Sequence, residues 1–126
     1  MISISLHWPP SVNHYWRTAV IAGRAQTYIS KEGKAYREEV GWLLRKVQPK
    51  KMLDRLQVTV LAYPPDRRAR DLDNLLKSLL DSLAHGGAYE NDNQVDEITI
   101  KRCIPVVNGV VHVTISSIAD LATEAA

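Results

Sequence analysis

The octet Leu56-Gln57-Val58-Thr59-Val60-Leu61-Ala62-Tyr63 is the best strand in this chain, and the residues after it narrow the fold further. Pro64-Pro65 ends the strand, because proline cannot donate to a sheet ladder. A helix is predicted from about Asp71 to Ala84, with Leu72, Leu75, Leu76, Leu79, Leu80 and Leu83 on its core face. Gly86-Gly87 ends it. A strand followed by a helix with an apolar stripe buries both in a mixed α and β core.

The remaining elements complete that core. Ile2-Ser3-Ile4-Ser5-Leu6 alternates with period two, reads as a half-buried strand and stops at Pro9-Pro10-Ser11. Val12 to Ile29 has no clean period and is expected to be an irregular arm or poor hairpin around Gly23. Ser30 can cap a helix running to about Val47, with Tyr36, Val40, Leu43, Leu44 and Val47 as its buried stripe and Pro49 as its stop. Ile98 to Val107 and Val110 to Ile115 read as two strands joined at Asn108-Gly109, a hairpin signal. The expectation is one α+β domain over residues 1–118, with a mixed β-sheet and the order β-α-β-α-β-β. A short tail, 119–126, has little to bury and is expected to fray.

At 126 residues, 45% apolar and 24% charged, the chain can build an ordinary core without crosslinks. No apolar run approaches the roughly 18 residues that span a bilayer. The N-terminus has no charged start or cleavage site of a signal peptide. The single cysteine, Cys103, excludes an internal disulfide and suits a reducing cytoplasm. A cytoplasmic protein is therefore expected. His7, His14, His85 and His112 share no ligand spacing with each other or with Cys103, which argues against zinc. There is no glycine-rich phosphate loop and no G-x-S-x-G elbow, so nucleotide cofactors and serine hydrolase chemistry are not expected.

The net charge of +2 is weak evidence for nucleic acid, but its distribution is informative. Positive charge concentrates in Arg17 to Lys51 and in Arg67 to Arg70. In Asp66-Arg67-Arg68-Ala69-Arg70-Asp71-Leu72-Asp73-Asn74-Leu75-Leu76-Lys77, three arginines run directly into two aspartates. Arginine binds phosphate bidentately, and each phosphate neutralised releases counterions and makes binding salt-dependent. Asp92, in the polar run Glu90-Asn91-Asp92-Asn93-Gln94-Val95, is a third acidic candidate. A strand entering from that loop could bring it beside the helix start. Three converging carboxylates would need a cation, and all-oxygen ligation suits Mg²⁺ or Mn²⁺. Lys77, one turn after Asp73, is placed to neutralise a scissile phosphate.

A purely structural account competes with this one. Aspartate caps helices and complements their positive ends, and Asp73, Lys77 and Asp81 have the spacing of a surface ion-pair ladder. The arginines can equally belong to a solvated loop. Trp8, Tyr15, Trp16 and Tyr28, interleaved with His14, Arg17 and Arg24, can stack on bases, wedge a branch point, or simply fill the core. Lys31, Lys34, Arg37, Arg45 and Lys46 are expected to divide between DNA-facing and solvent-facing roles.

Taken together, these residues resemble the RusA-type Holliday junction resolvases of bacteria and their phages. Trp8-Pro9-Pro10-Ser11 with Asn13 and Arg17 resembles the family's N-terminal element, and Ser30 to Arg37 its first-helix start. Pro65 to Leu75 with Lys77 resembles its signature, and Asp92-Asn93-Gln94-Val95 its second acidic motif. The resemblance implies Asp71, Asp73 and Asp92 as catalytic, metal-binding acids and Lys77 as a catalytic basic residue. It also implies Mg²⁺ dependence, a homodimer and paired cuts across a four-way DNA junction. Asn13, Arg17, Lys31, Arg67, Arg68 and Arg70 are the expected DNA contacts, and the protein is expected to work at the nucleoid. Asn91 stands where a common family form has a second aspartate, and Ala69 interrupts the basic run. A two-fold substrate calls for two sites, hence a C₂ dimer, and the apolar part of the C-terminal hairpin, Val106 to Val113, is its expected surface. The alternatives are a nuclease for other branched or single-stranded DNA, a catalytically silent DNA-binding module, and a small-molecule phosphohydrolase.

Overall fold

The computed structural model describes residues 1–47 and 50–119. Its elements are β1 (Ile2–His7), α1 (Val12–Tyr15), β2 (Trp16–Ile21), β3 (Arg24–Ile29), α2 (Lys31–Val47), β4 (Leu56–Tyr63), α3 (Asp73–His85), a 3₁₀ turn (Asp92–Gln94), β5 (Val95–Arg102) and β6 (Val110–Ser117). The expected mixed α+β class is found. The expected stop at Pro49 and the fraying of the tail beyond Ala119 fall outside the described residues.

The main sheet has the order β1-β6-β4-β5. β6 runs antiparallel to both β1 and β4, and β5 runs parallel to β4. Alternation along the strands sends Ile2, Ile4 and Leu6, Val58, Val60 and Ala62, and Val111, Val113 and Ile115 to one face, all buried. Tyr36, Val40 and Leu44 of α2 and Leu75, Leu79 and Leu83 of α3 join them in one core. Each buried aliphatic side chain contributes about 1.5–3 kcal/mol relative to exposure.

Local chemistry sets the helix ends. Ser30 Oγ accepts from the Gly33 N–H at 3.0 Å, the predicted cap of α2. At the end of α3, Ala88 N–H donates to Leu83 O at 2.9 Å and Gly87 N–H to Ala84 O at 3.1 Å. With Gly87 at φ 94° this is a Schellman stop. The buried stripe of α2 is narrower than expected, since Leu43 is only half-buried and Val47 is exposed.

Three expectations are corrected. Residues 12–29 are not irregular: after the single turn α1, β2 and β3 form a regular antiparallel ribbon, turning at Ala22 and Gly23, both with positive φ. No period marks it because almost every side chain in it is exposed, so no face is selected for apolarity. The strands predicted at 98–107 and 110–115 run instead over Val95–Arg102 and Val110–Ser117, and they do not pair with each other. Asn108 and Gly109 do adopt the positive φ of a turn (67° and 71°), but the loop crosses the end of β4. Hydrogen bonds from Cys103 N–H to Ala62 O and from Val106 N–H to Pro64 O, both 2.8 Å, hold it there. β4, the best apolar run, takes the central place with a neighbour on each edge. The parallel neighbour is reached through α3, as a parallel pair requires. Finally, the segment 106–113 is not one apolar surface: Val111 and Val113 are core, while Val107 is exposed.

Candidate active site and nucleic-acid interface

The loop 64–72 delivers the basic tract to the start of α3. Asp66 organises it: its carboxylate accepts from Arg70 Nη1 at 2.6 Å and from the Arg68 N–H at 2.9 Å. The Arg70 hydrogen bond, then the Arg68 backbone bond, hold the Asp66 carboxyl down at about 2. Arg70 is thus half-buried and committed within the loop, and its carbonyl accepts from Arg102. Arg67 and Arg68 project into solvent.

Asp71 is exposed just before α3, and Asp73 is exposed as its first residue. α3 therefore begins two residues later than predicted. Leu72 occupies the cap position in helical conformation, and no side chain caps the helix. The ladder is absent too. Asp71 accepts from the Asn74 N–H through its backbone carbonyl at 3.2 Å, but among the described residues neither the Asp71 nor the Asp73 side chain accepts a hydrogen bond or pairs with a cation, and Lys77 pairs with neither Asp73 nor Asp81. The structural account of these carboxylates thus loses its geometry.

Asp81 belongs elsewhere. It accepts from Arg37 Nη2 at 2.6 Å, from Arg37 Nε at 3.0 Å and from the Tyr15 hydroxyl. Arg37 Nε also donates to Tyr15 Oη at 2.7 Å, as does Ser82 Oγ at 3.2 Å. Burial, then the Asp81 carboxylate, push the Tyr15 phenol up to about 12. Arg37 is therefore a tie between α2 and α3, stacked near the Tyr15 and Trp16 rings, not a DNA-facing charge. No sequence signal marks this network, because Tyr15 and Asp81 are 66 residues apart.

The network fixes what flanks α3. Ser78 Oγ donates to Pro10 O at 2.7 Å, laying the Pro9–Ser11 segment along the helix. One cavity, of about 380 Å³, lies between that segment and the loop and is lined by Trp8, Ser11, Arg70, Asp71 and Asn74 among others. A larger one, of about 710 Å³, is lined by Asn13, Trp16, Arg17, Thr18, Thr27 and Lys77. Asn13 and Arg17 share this cavity with Lys77, which is distant from both in sequence. Among the described residues the buried indole N–H of Trp16 has no hydrogen-bond partner. Lys31 is exposed at the start of α2 and is not part of either cavity.

Asp92 is exposed and opens the 3₁₀ turn that packs against α3. Asn91 caps that turn: its side chain accepts from the Asn93 N–H at 2.9 Å, while Gln94 Oε1 accepts from the Asn91 N–H at 2.9 Å. Asn91 therefore does a capping job that aspartate could do equally, without a charge. Asp92 lies near Tyr89, whose phenol is raised by burial and then by the Asp92 charge. Among the described residues no three acidic, histidine or cysteine side chains form a group able to hold a metal ion, so the predicted three-way convergence is not drawn together.

The site thus combines exposed arginines, a cavity lined by Arg17 and Lys77, and carboxylates that among the described residues have no side-chain partner. The family of Endodeoxyribonuclease RusA matches residues 7–116. The crossover junction endodeoxyribonuclease of Enterobacteria phage HK97 is 41% identical over 121 residues, covering 92% of this chain and 94% of that relative. The crossover junction endodeoxyribonuclease of Escherichia coli K12 is 38% identical over 112 residues, covering 85% and 86% respectively. This chain belongs to the RusA endodeoxyribonuclease family. No helix among its described residues is long and apolar enough to cross a membrane.

Proposed function

We propose that this chain is a Mg²⁺-dependent endodeoxyribonuclease that resolves four-way DNA junctions by paired phosphodiester hydrolysis. The observation carrying the reading is a contrast among aspartates. Asp66, Asp81 and Asp96 each engage an arginine, whereas Asp71, Asp73 and Asp92 are exposed and, among the described residues, without partners. Unpaired carboxylates beside a basic tract repel DNA unless a cation intervenes.

The donor set fits such a cation. Mg²⁺ typically keeps several waters and takes one or two carboxylates plus substrate phosphates, not a closed protein cage. Asp71 and Asp73 would supply those carboxylates, and Asp92, which this structure does not group with them, would complete the set only by closing on the bound ion; Mn²⁺ satisfies the same donors. Bound there, the ion would lower the pKa of a water and stabilise the departing 3′ oxygen. Lys77 neutralises charge on the scissile phosphate in the cavity it shares with Asn13 and Arg17. Arg67, Arg68 and Lys31 grip flanking phosphates, and Arg70 holds the loop in shape. A homodimer supplies two sites for two symmetric cuts. The enzyme acts in the cytoplasm, on DNA of the nucleoid.

The test is a fixed, labelled four-way junction incubated with the protein across a Mg²⁺ titration, with EDTA as control. Symmetric nicked duplexes that require the metal are expected. Junction binding without cutting at any Mg²⁺ or Mn²⁺ concentration would leave a silent DNA-binding module. Equal cutting of linear duplex would leave a nuclease without branch selectivity.

A further inference from the structure

The β2–β3 ribbon projects from the root of the site and has no place in the core. A free two-stranded ribbon has little stability of its own, and here Tyr15 and Ser30, flanking it, are both buried and hydrogen-bonded to each other (Ser30 N–H to Tyr15 O, 2.9 Å). The register places Arg17 opposite Tyr28, Ala19 opposite Gln26 and Ile21 opposite Arg24. Directly opposed residues, and residues two apart, share a face. One face therefore carries Arg17, Ala19, Ile21, Arg24, Gln26 and Tyr28; Arg24, Gln26 and Tyr28 are exposed along it, while Arg17, at the root, also lines the cavity of Lys77. The other face, carrying Trp16, Thr18 and Thr27, borders the cavity of Lys77.

We propose that the Arg24, Gln26 and Tyr28 face of this ribbon reads base edges in the major groove of a junction arm, with Arg24 and Gln26 as specificity-determining residues. The inference rests on the proposed DNA reading and extends it to sequence preference. A two-stranded ribbon fits the major groove, where arginine pairs bidentately with guanine and glutamine with adenine. From Trp16 to Ile29 there is no acidic residue, so the whole ribbon is compatible with DNA. The same charge opposes a second copy of this chain as the occupant: a ribbon-to-ribbon contact related by a two-fold axis would bring arginines against arginines. The ribbon root lies at Lys77, so a groove engaged by Arg24 and Gln26 belongs to the DNA beside the cut.

The test compares the full-length protein with an Arg24→Ala/Gln26→Ala variant on a library of four-way junctions randomised around the crossover. Binding is measured in Ca²⁺, and cut sites are read in Mg²⁺. The expected result is a loss of about tenfold in affinity for the preferred sequences, little change for the others, and a broadened set of cut sites. A melting temperature like that of the unmodified protein shows that the exposed changes leave the fold intact. Unchanged affinity and unchanged cut sites would overturn the proposal. So would a uniform loss across all sequences with a shallower salt dependence, which marks phosphate contacts alone. If the unmodified protein binds but cuts nothing, the nuclease reading fails, while the binding preference still decides the role of the ribbon.

Discussion

Two stretches of α3 treat their carboxylates in opposite ways. Near its C-terminal end, Asp81 is sheltered and tied to Arg37 and Tyr15, joining three elements that are distant in sequence. At its N-terminal end, Asp71 and Asp73 are exposed, and among the described residues neither side chain has a hydrogen-bond or ionic partner. The same residue type is a structural tie near the end of the helix and, at and just before its start, an exposed carboxylate without a side-chain partner among the described residues. Partnership therefore separates these aspartates where spacing alone does not. The Asp73-Lys77-Asp81 spacing suggests one continuous ladder, and the structure breaks it at Lys77, which faces a cavity shared with Asn13 and Arg17.

The sharpest way to break this contrast is Asp73→Asn. Cleavage should fall by about a hundredfold or more, the scale of losing one electrostatic contributor to a transition state. Junction binding should persist or tighten, and the melting temperature should stay within about 2 °C, because no partner is lost. A clear drop in melting temperature with cleavage intact would make Asp73 a structural residue after all.

Asp81→Ala should behave in the reverse manner. Removing it leaves Arg37 and Tyr15 sheltered without their acceptor, costing about 2 kcal/mol, or a fall of about 8 °C in melting temperature for a domain of this size. Well below that temperature, cleavage should change far less than in Asp73→Asn. Calorimetry beside a junction assay reads both quantities.

The smallest effect belongs to Asp66. Its carboxyl is held at about 2 by Arg70 and the Arg68 N–H, below the ordinary carboxylate value. A depressed folded value stabilises the loop above roughly pH 4 and loses that support as pH falls from there toward 2. Because the group is exposed, the effect on global stability should be slight, and Asp66→Asn should flatten only this acid limb. An NMR titration midpoint for Asp66 near an unperturbed carboxylate would show that the loop is not organised as described.

Much of this could be read along the chain because it rests on local physics. Ser30 caps α2, Gly87 ends α3, the leucine stripe of α3 faces the core, and the alternation of β1 and β4 selects their buried faces. The residues Asp71, Asp73, Lys77 and Asp92 are visible as candidates in the order of the chain, but capping and an ion-pair ladder compete there, and only the family resemblance gives them roles. The β2–β3 ribbon does not, since a segment exposed on nearly all sides leaves no apolar period. Nor does the pairing of β5 with β4: Asn108 and Gly109 determine a turn, but which strands flank it depends on which apolar run needs two neighbours.

By itself, then, the sequence determined the helix ends, the buried faces and the identity of the acidic and basic groups, because each depends on neighbours within a few residues. Only the tertiary structure decided which aspartates are tied, which stand without a side-chain partner among the described residues, and which cations share a cavity. Those outcomes depend on contacts such as Tyr15 with Asp81 and Ser78 with Pro10. Such pairs lie more than sixty residues apart, where no local periodicity can carry the information.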